Sequence, residues 1–247
     1  MALVLLHGAA VAAEPLPPLR LDRTQVSVSG LSSGGFMAMQ MHVAHSATVA
    51  GAAVVAGGPY YCAGGSTAYV ALCTGHAATP PNPVLLHWSA RGLAAAGEID
   101  ALENLRRARV YLFSGTADDT VAQAAVNAAR DFYRLAGVPE DSLAYVRDVR
   151  AGHAFLTPRA AQPCAATAPP HLNRCVVDGR PYDMAGAILT HLHGPLEPPA
   201  DAPAGRLLAF DQRAFGDSFT GLAGTGYLYV PEDCAAGAGC RLHVAFH

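Results

Sequence analysis

The hydrophobic pattern along the chain predicts short buried strands separated by helices. Valine alternates with serine over residues 26–29, which is typical of a strand, and residues 36–45 then continue without Gly or Pro, as a helix requires. Apolar runs at residues 49–58, 109–115 and 143–149 predict three further strands.

The segment between the last two predicted strands has the composition of a helix. It extends from Thr120 to Ala136 and is followed by Gly137, Val138 and Pro139, which favour the end of a helix. Strands that alternate with helices predict a mostly parallel sheet with flanking helices, which is an α/β fold. At 247 residues, 51% of them hydrophobic, the chain is long enough for one sizeable domain, and no shift in composition marks a second.

The start of the chain predicts a signal for secretion. The stretch "MALVLLHGAAVAA" is apolar and ends in small residues before a Pro-rich segment, although the usual positive start is missing. A competing interpretation takes "LVLLHG" as a strand and the turn of an oxyanion loop, but Gly8 lies too close to Ser32 for the helices and strand that would have to intervene. We therefore predict a signal peptide at residues 1–13 and one catalytic domain over residues 14–247.

The charge composition excludes several classes of function. A net charge of -3 with 14% charged residues provides no basic patch for nucleic acid and no polybasic strip for a membrane. All sixteen basic residues are arginine, and the absence of lysine excludes Schiff-base, pyridoxal and Walker-type chemistry. We expect a monomer without a cofactor that acts on small or neutral substrates.

The six cysteines form three pairs of near neighbours in Pro/Gly-rich loops. Six thiols allow many connectivities, but short closures are sterically easy in such loops, and we predict three local disulfides in an exported protein. Buried free thiols in a cytosolic protein are the alternative. Zinc is disfavoured because no C-x-x-C spacing or paired histidine pattern accompanies the cysteines, and we predict no metal. The predicted pairs are Cys62 with Cys73, Cys164 with Cys175 and Cys234 with Cys240.

Residues 30–34, Gly-Leu-Ser-Ser-Gly, match the G-x-S-x-G pattern of a nucleophile elbow. In an elbow a strand turns sharply into a helix and presents a serine at the bend, where peptide N–H groups of the helix face the hydroxyl. The five residues alone would equally suit a Gly-rich turn without chemistry. The predicted strand before them and helix after them favour Ser32 as a nucleophile.

An aspartate and a histidine follow later predicted strands. Asp118 lies in the turn after the third strand, and His153 lies in a Gly-containing loop after the fourth. Either residue alone would more often be a helix cap or an exposed loop side chain. The order serine, aspartate, histidine at strand ends is that of the α/β-hydrolase triad, in which the imidazole accepts the hydroxyl proton and the carboxylate orients the imidazole. We predict a triad of Ser32, Asp118 and His153, with Asp119 as the cap of the following helix.

Four stretches together resemble the secreted poly(3-hydroxybutyrate) depolymerases, whose catalytic domain is a circularly permuted α/β-hydrolase. The resemblance implies the same triad, with the peptide N–H of Ser33 as one oxyanion donor. It also implies hydrolysis of esters through an acyl-serine, on a water-insoluble polyester and its soluble oligomers. The stretches are "VSVSGLSSGGFMAMQM" (26–41), "RVYLFSGTADDTV" (109–121), "AGHAF" (151–155) and "DMAGAILTHLHGPL" (183–196), within a similarity that spans residues 25–247.

A circular permutation would explain why the serine comes so early. A serine-hydrolase sheet needs the strand that bears the oxyanion loop beside the elbow strand, and we predict that "LHVAFH" in the tail supplies it. The tail predicts a hairpin of two apolar strands, "GYLYVP" (226–231) and "RLHVAFH" (241–247), joined by a loop from Cys234 to Cys240. In the family that the chain resembles, a Gly-Cys pair follows this strand, and its cysteine N–H is the second oxyanion donor. We therefore expect this chain to be truncated after the oxyanion strand and to be a weak or inactive hydrolase.

Two other functions stay open. A serine esterase of acetylated or feruloylated polysaccharide would share the same triad. A hydrolase-fold fragment without catalysis could instead act as a binding or structural module. Reaction with a fluorophosphonate separates the enzymes from the module, because only an activated serine reacts.

Overall fold

The structure, a computed structural model, describes residues 16–198, 202–216 and 221–247. The predicted signal peptide at residues 1–13 and the competing interpretation of "LVLLHG" lie outside the described residues. The chain divides into two compact units, a larger one of Arg23–Glu197 with Arg241–His247 and a smaller one of Met1–Asp22 with Pro198–Cys240. A single catalytic domain over residues 14–247 stays a prediction.

The strands and helices follow one another in the order that the hydrophobic pattern indicates for the first half of the chain. The strands are β1 (Val26–Leu31), β2 (Val49–Val55), β3 (Arg109–Phe113), β4 (Leu143–Val146), β5 (Phe155–Leu156), β6 (Gln162–Pro163), β7 (Leu172–Arg174), β8 (Val176–Val177), β9 (Arg180–Pro181), β10 (Gly205–Asp211), β11 (Thr225–Pro231) and β12 (His243–Phe246). The helices are α1 (Ser33–Ala44), α2 (Val70–Cys73), α3 (Pro83–Ala95), α4 (Gln123–Leu135), α5 (Met184–His193) and α6 (Glu232–Ala235).

A five-stranded sheet forms the centre of the larger unit. Its order is β12-β1-β2-β3-β4, and each neighbouring pair of strands is parallel. The predicted strands at the start of the chain are β1 to β4, so the prediction of a mostly parallel sheet is confirmed. The central strand β2 is an almost continuous run of Val and Ala because both of its faces are buried.

Helices cover both faces of this sheet. On one face, Met39 of α1 and Phe132 of α4 share a core with Leu112 of β3. On the other face, Ile188 of α5 packs with Phe113 of β3. Successive residues of a strand point to opposite faces, so Leu112 and Phe113 enter different cores. The predicted flanking helices are thereby confirmed.

The serines of β1 are buried rather than solvent-exposed. Ser27 Oγ lies 2.9 Å from His193 Nε2 and 2.8 Å from His243 Nδ1. Ser29 Oγ lies 2.8 Å from His243 Nε2. The alternation of Val and Ser in β1 therefore separates an apolar buried face from a hydrogen-bonded buried face. Burial, with a smaller contribution from His193, lowers the pKa of His243 to about 4, so this imidazole is neutral at pH 7.

The predicted hairpin of residues 226–231 with residues 241–247 is wrong. β11 pairs antiparallel with β10, within the smaller unit, whereas β12 pairs in parallel with β1. The expected loop closed by Cys234 and Cys240 does lie between β11 and β12, but β11 takes its antiparallel partner from β10, which precedes it in the chain. The predicted place of β12 beside the elbow strand is confirmed, while a circular permutation stays a prediction.

All six cysteines are paired as predicted, so the alternative of free thiols is wrong. The disulfides join Cys62 with Cys73, Cys164 with Cys175 and Cys234 with Cys240. The first two pairs lie in the larger unit, one before and one after Asp118 in the sequence. The third closes a loop of the smaller unit. In that loop the backbone of Cys240 also forms an isolated parallel β-bridge with Leu21. Across the described part of the chain, no helix has both the length and the apolar character that a bilayer span requires.

The turn from β1 into α1 is as sharp as the G-x-S-x-G pattern predicts. Ser32 has φ 58° and ψ -123°, in a region that non-glycine residues rarely adopt. Backbone hydrogen bonds hold it there, from Ser32 N–H to the Val55 carbonyl at 3.0 Å and from Phe36 N–H to the Ser32 carbonyl at 2.9 Å. A Cβ atom on Gly30 would overlap the backbone of Gly34, so this glycine is required by close approach.

We expect Gly34→Ala to destabilise the fold by about 1–3 kcal/mol, because the new Cβ would overlap the Phe246 carbonyl of β12. Gly92→Ala is the matched control: it lies within α3, and a Cβ there meets no described atom within 4 Å. We expect Gly92→Ala to stabilise the protein by up to about 1 kcal/mol. Urea denaturation measures both effects. Equal stability of Gly34→Ala and the parent protein would contradict this packing.

Burial of His42 in α1 should make the free energy of unfolding sensitive to acid. His42 is fully buried, its Nδ1 lies 2.8 Å from the Tyr133 hydroxyl, and its Nε2 has no hydrogen-bond partner among the described residues. Burial lowers its pKa from 6.5 to about 3. The unfolded chain therefore binds a proton more readily between these values, and the free energy of unfolding falls as the pH decreases through this range.

We expect His42→Gln to make the free energy of unfolding less dependent on pH between about 6.5 and 3, where the parent protein loses stability. Some dependence will remain, since burial also lowers the pKa of His243. His45→Gln, at an exposed residue just beyond the same helix, is the control and should keep the parent slope. Urea denaturation at a series of pH values decides, and an unchanged slope in His42→Gln would contradict the expectation.

Candidate active site

The three residues predicted for the triad all follow carboxyl ends of sheet strands. Ser32 comes directly after β1, Asp118 follows β3, and His153 follows β4. Because these strands are parallel, their carboxyl ends lie along one edge of the sheet. Sites in open α/β sheets form along this edge.

Asp118 and His153 are in direct contact. His153 Nδ1 lies 2.8 Å from Asp118 Oδ2, and the exposed fractions of the two side chains are 6% and 1%. Since a carboxylate only accepts hydrogen bonds, Nδ1 carries the proton. In the neutral imidazole Nε2 is then the free base, which is the tautomer that a catalytic histidine needs.

The other carboxylate oxygen of Asp118 also accepts hydrogen bonds. Asp118 Oδ1 accepts hydrogen bonds from the N–H groups of Thr120 and Val121, each at 2.9 Å. This turn fixes the carboxylate relative to its own backbone. Both oxygens therefore have defined partners, and Oδ2 is directed at the imidazole.

The prediction that Asp119 caps the following helix is wrong. α4 begins at Gln123, and its N-cap is Ala122, which has no side-chain acceptor. Asp118 itself accepts the N–H groups two and three residues further on, so the chain makes a local turn before the helix begins. Of the two neighbouring aspartates, Asp118 is the one that reaches His153.

Backbone contacts between two loops bring Asp118 to His153. The N–H of Thr116 donates to the Val149 carbonyl at 2.8 Å, and the N–H of Ala117 donates to the Ala151 carbonyl at 3.0 Å. Gly115 allows this approach, because a Cβ there would overlap the carbonyl of Ala151. The glycine of "FSGTADD" thus joins the aspartate turn to the histidine loop.

Ser32 lies at a cavity of about 480 Å³. Thr120 and Val121, the residues that hold the Asp118 carboxylate, line the same cavity. The hydrogen bonds of the described residues do not include one between Ser32 and His153. The structure thus joins Asp118 to His153 directly and places Ser32 at the same edge of the sheet. Much of the wall is apolar or aromatic, with Phe36, Met37, Tyr61 and Val70.

Ser33, the predicted oxyanion donor, lies at the N-terminus of α1. It is the first residue of α1, so its N–H has no acceptor within the helix. The positive end of the helix dipole adds to the attraction for a developing negative charge. Among the described residues, no cluster of three or more His, Cys, Asp or Glu side chains could hold a metal ion.

The sequence analysis missed residues that support this site from a distance in the chain. Gln40 Oε1 accepts the N–H of Tyr61 at 2.9 Å and so holds a cavity residue whose φ is 59°. Thr167 and His171 contact the main chain of His153. No local motif marks any of these residues, because their partners lie far away in sequence.

Known proteins resemble this chain over most of its length. It is 43% identical over 246 residues to "Poly(3-hydroxybutyrate) depolymerase" of Delftia acidovorans, a match that covers 97% of this chain and 48% of the relative. It is 35% identical over 257 residues to "Polyhydroxybutyrate depolymerase" of Talaromyces funiculosus, covering 99% of this chain and 70% of the relative. The chain thus spans about half the length of the first relative. No protein-family model matches the chain.

Two solved structures share the fold. One is a PHB depolymerase from Penicillium funiculosum, and the other is a serine-to-alanine variant of a PHB depolymerase complexed with R3HB trimer. Each is 31% identical to this chain, with a TM-score of 0.81, and each match covers 94% of this chain and 71% of the solved chain. The α/β-hydrolase-like fold is confirmed by these likenesses. With 35% identity to a relative of which it covers 70%, this chain belongs to the polyhydroxybutyrate depolymerase family.

Proposed function

We propose that this chain is the catalytic part of a serine esterase that hydrolyses poly(3-hydroxybutyrate) or related polyester oligomers. The observation that carries the proposal is the 2.8 Å contact between Asp118 and His153 at the sheet edge that also bears the elbow serine. Family membership and the bound R3HB trimer of a solved relative support the polyester as substrate.

The proposed reaction begins with Ser32. His153 Nε2 accepts the hydroxyl proton while Ser32 Oγ attacks the ester carbonyl, and Asp118 stabilises the imidazolium that forms. The Ser33 N–H donates to the carbonyl oxygen as it becomes negative. When the intermediate collapses, the imidazolium returns the proton to the leaving alcohol oxygen, and an acyl-serine remains.

Water completes the cycle. His153 Nε2 accepts a proton from a water molecule, whose oxygen attacks the acyl-serine carbonyl. The second intermediate then releases a carboxylic acid, and the proton returns to Ser32 Oγ. The Ser32 to His153 hydrogen bond forms when substrate binds, since catalytic hydrogen bonds commonly tighten only in the complex.

The apolar wall of the cavity suits an aliphatic ester. Phe36, Met37 and Val70 offer no charge to a bound group, and a hydroxyalkanoate unit carries none besides its chain ends. We propose an extracellular site of action, because disulfides persist where the environment is oxidising and the described part of this chain contains three of them.

We expect the parent chain to react with a fluorophosphonate and, at a low rate, to clear a suspension of poly(3-hydroxybutyrate) and release soluble oligomers. Ser32→Ala should lose all three, because no other residue replaces the nucleophile. Release of acetate or ferulate from polysaccharide without clearing would instead favour a polysaccharide esterase. A parent chain that is folded but unreactive would favour a module without catalysis and would contradict the proposal.

We expect Asp118→Asn to lower kcat for p-nitrophenyl butyrate by about 10³- to 10⁴-fold, because an amide can present a donor to Nδ1 and favour the wrong tautomer. Asp119→Asn is the matched control, one residue away and exposed, and should keep the parent kcat. Steady-state kinetics of both variants measures the difference. Equal losses in the two variants would contradict the role proposed for Asp118.

A further inference from the structure

A loop outside the triad holds both main-chain groups of His153. The N–H of His153 donates to Thr167 Oγ1 at 3.0 Å. The carbonyl of His153 accepts a hydrogen bond from His171 Nδ1, also at 3.0 Å. Together with the bond from the imidazole to Asp118, these contacts hold His153 at three points.

The loop that carries Thr167 and His171 is itself fixed by a disulfide and a buried amide. Cys164 is bonded to Cys175, which is almost fully buried. Asn173 is fully buried, and its Nδ2 donates to the carbonyls of Cys164 at 2.9 Å and Ala166 at 2.7 Å. The loop therefore has a defined shape that does not depend on contacts with solvent.

This loop also packs directly against the residue before His153. The N–H of Gly152 donates to the Cys164 carbonyl at 2.9 Å. A Cβ on Gly152 would overlap the carbonyl of Ala166, so only glycine fits between the two segments. Any shift of the loop would therefore move the backbone of His153.

His171 is held in an unfavourable backbone conformation to make its contact. Its φ is 58°, in the left-handed region. Its carbonyl accepts the N–H of Phe155 at 2.8 Å, and its ring meets that of His153 edge to face at 5.9 Å between centroids. Such conformations persist only where surrounding contacts compensate for them.

We propose that Thr167 and His171 are positioning residues for His153, and that the Cys164–Cys175 disulfide keeps them in place. The hydrogen bond to Asp118 fixes the orientation of the His153 ring but does not restrain the backbone of His153. The two main-chain contacts fix the backbone, so Nε2 points to a constant place at the sheet edge. The link to catalysis rests on the proposed function, whereas the positioning can be measured without it.

The test uses pairs of variants that differ in one hydrogen bond. Thr167→Val removes the acceptor for the His153 N–H with little change in shape, and Thr167→Ser restores it. His171→Gly and His171→Asn both tolerate a left-handed φ, but only asparagine can donate to the His153 carbonyl. The readouts are kcat and KM for p-nitrophenyl butyrate, and the proton NMR resonance of the His153 Nδ1–H that is shared with Asp118.

We expect Thr167→Val and His171→Gly to lower kcat about 10- to 100-fold and to shift or broaden the Nδ1–H resonance, with KM changed less than about twofold. Thr167→Ser and His171→Asn should recover most of the kcat and a sharp resonance. A folded Thr167→Val and a folded His171→Gly with parent kcat and resonance would overturn the proposal. So would a loss of kcat that the conservative variants share.

A double variant tests the disulfide. Replacing Cys164 and Cys175 with Ser should broaden the Nδ1–H resonance, whereas replacing Cys234 and Cys240 with Ser, in the smaller unit, should leave it unchanged. Equal resonances in the two double variants would overturn the role of the Cys164–Cys175 disulfide. If the parent chain hydrolyses no ester, the proposed function fails, but the resonance still decides whether the loop positions His153.

Discussion

The chemistry at the carboxyl edge of this sheet depends on the hydrogen bond between Asp118 and His153. This bond selects the imidazole tautomer whose Nε2 is free, and it supplies a fixed negative charge next to a ring that becomes positive in the proposed ester hydrolysis. The bond exists only because two loops from neighbouring strands are held together by their own backbones. Gly115 is essential to that approach, since any side chain there would separate the loops.

Close approach of backbones is the common theme of the site. Gly30 lets the elbow turn back on itself, and Gly34 lets the start of α1 contact the end of β12. Ser32 can therefore keep its strained φ because the atoms around it leave no relaxed alternative. These glycines do for Ser32 what Gly115 and Gly152 do for Asp118 and His153. Small residues, rather than polar ones, are what bring the reactive groups to one edge.

On one face of β1, serine and histidine side chains form a hydrogen-bonded network. Ser27 and Ser29 contact His243 and His193, and burial lowers the pKa of both imidazoles. Neutral histidines can accept and donate at once, which allows a chain of hydrogen bonds between these side chains. The network joins β12 to β1 through side chains as well as through the parallel ladder. It thereby holds in place the strand against which the elbow helix begins.

The sequence alone determined the α/β class, the strands β1 to β4, the disulfide pairs and the triad candidates, because these follow from local periodicity, spacing and order. It placed Ser32 at an elbow and favoured Asp118 over Asp119. Only the tertiary structure decided that β11 pairs with β10 rather than with β12, that backbone contacts between two loops join Asp118 to His153, and that Thr167 and His171 hold the histidine backbone. These contacts join residues distant in the chain, and their geometry depends on packing that no local pattern encodes.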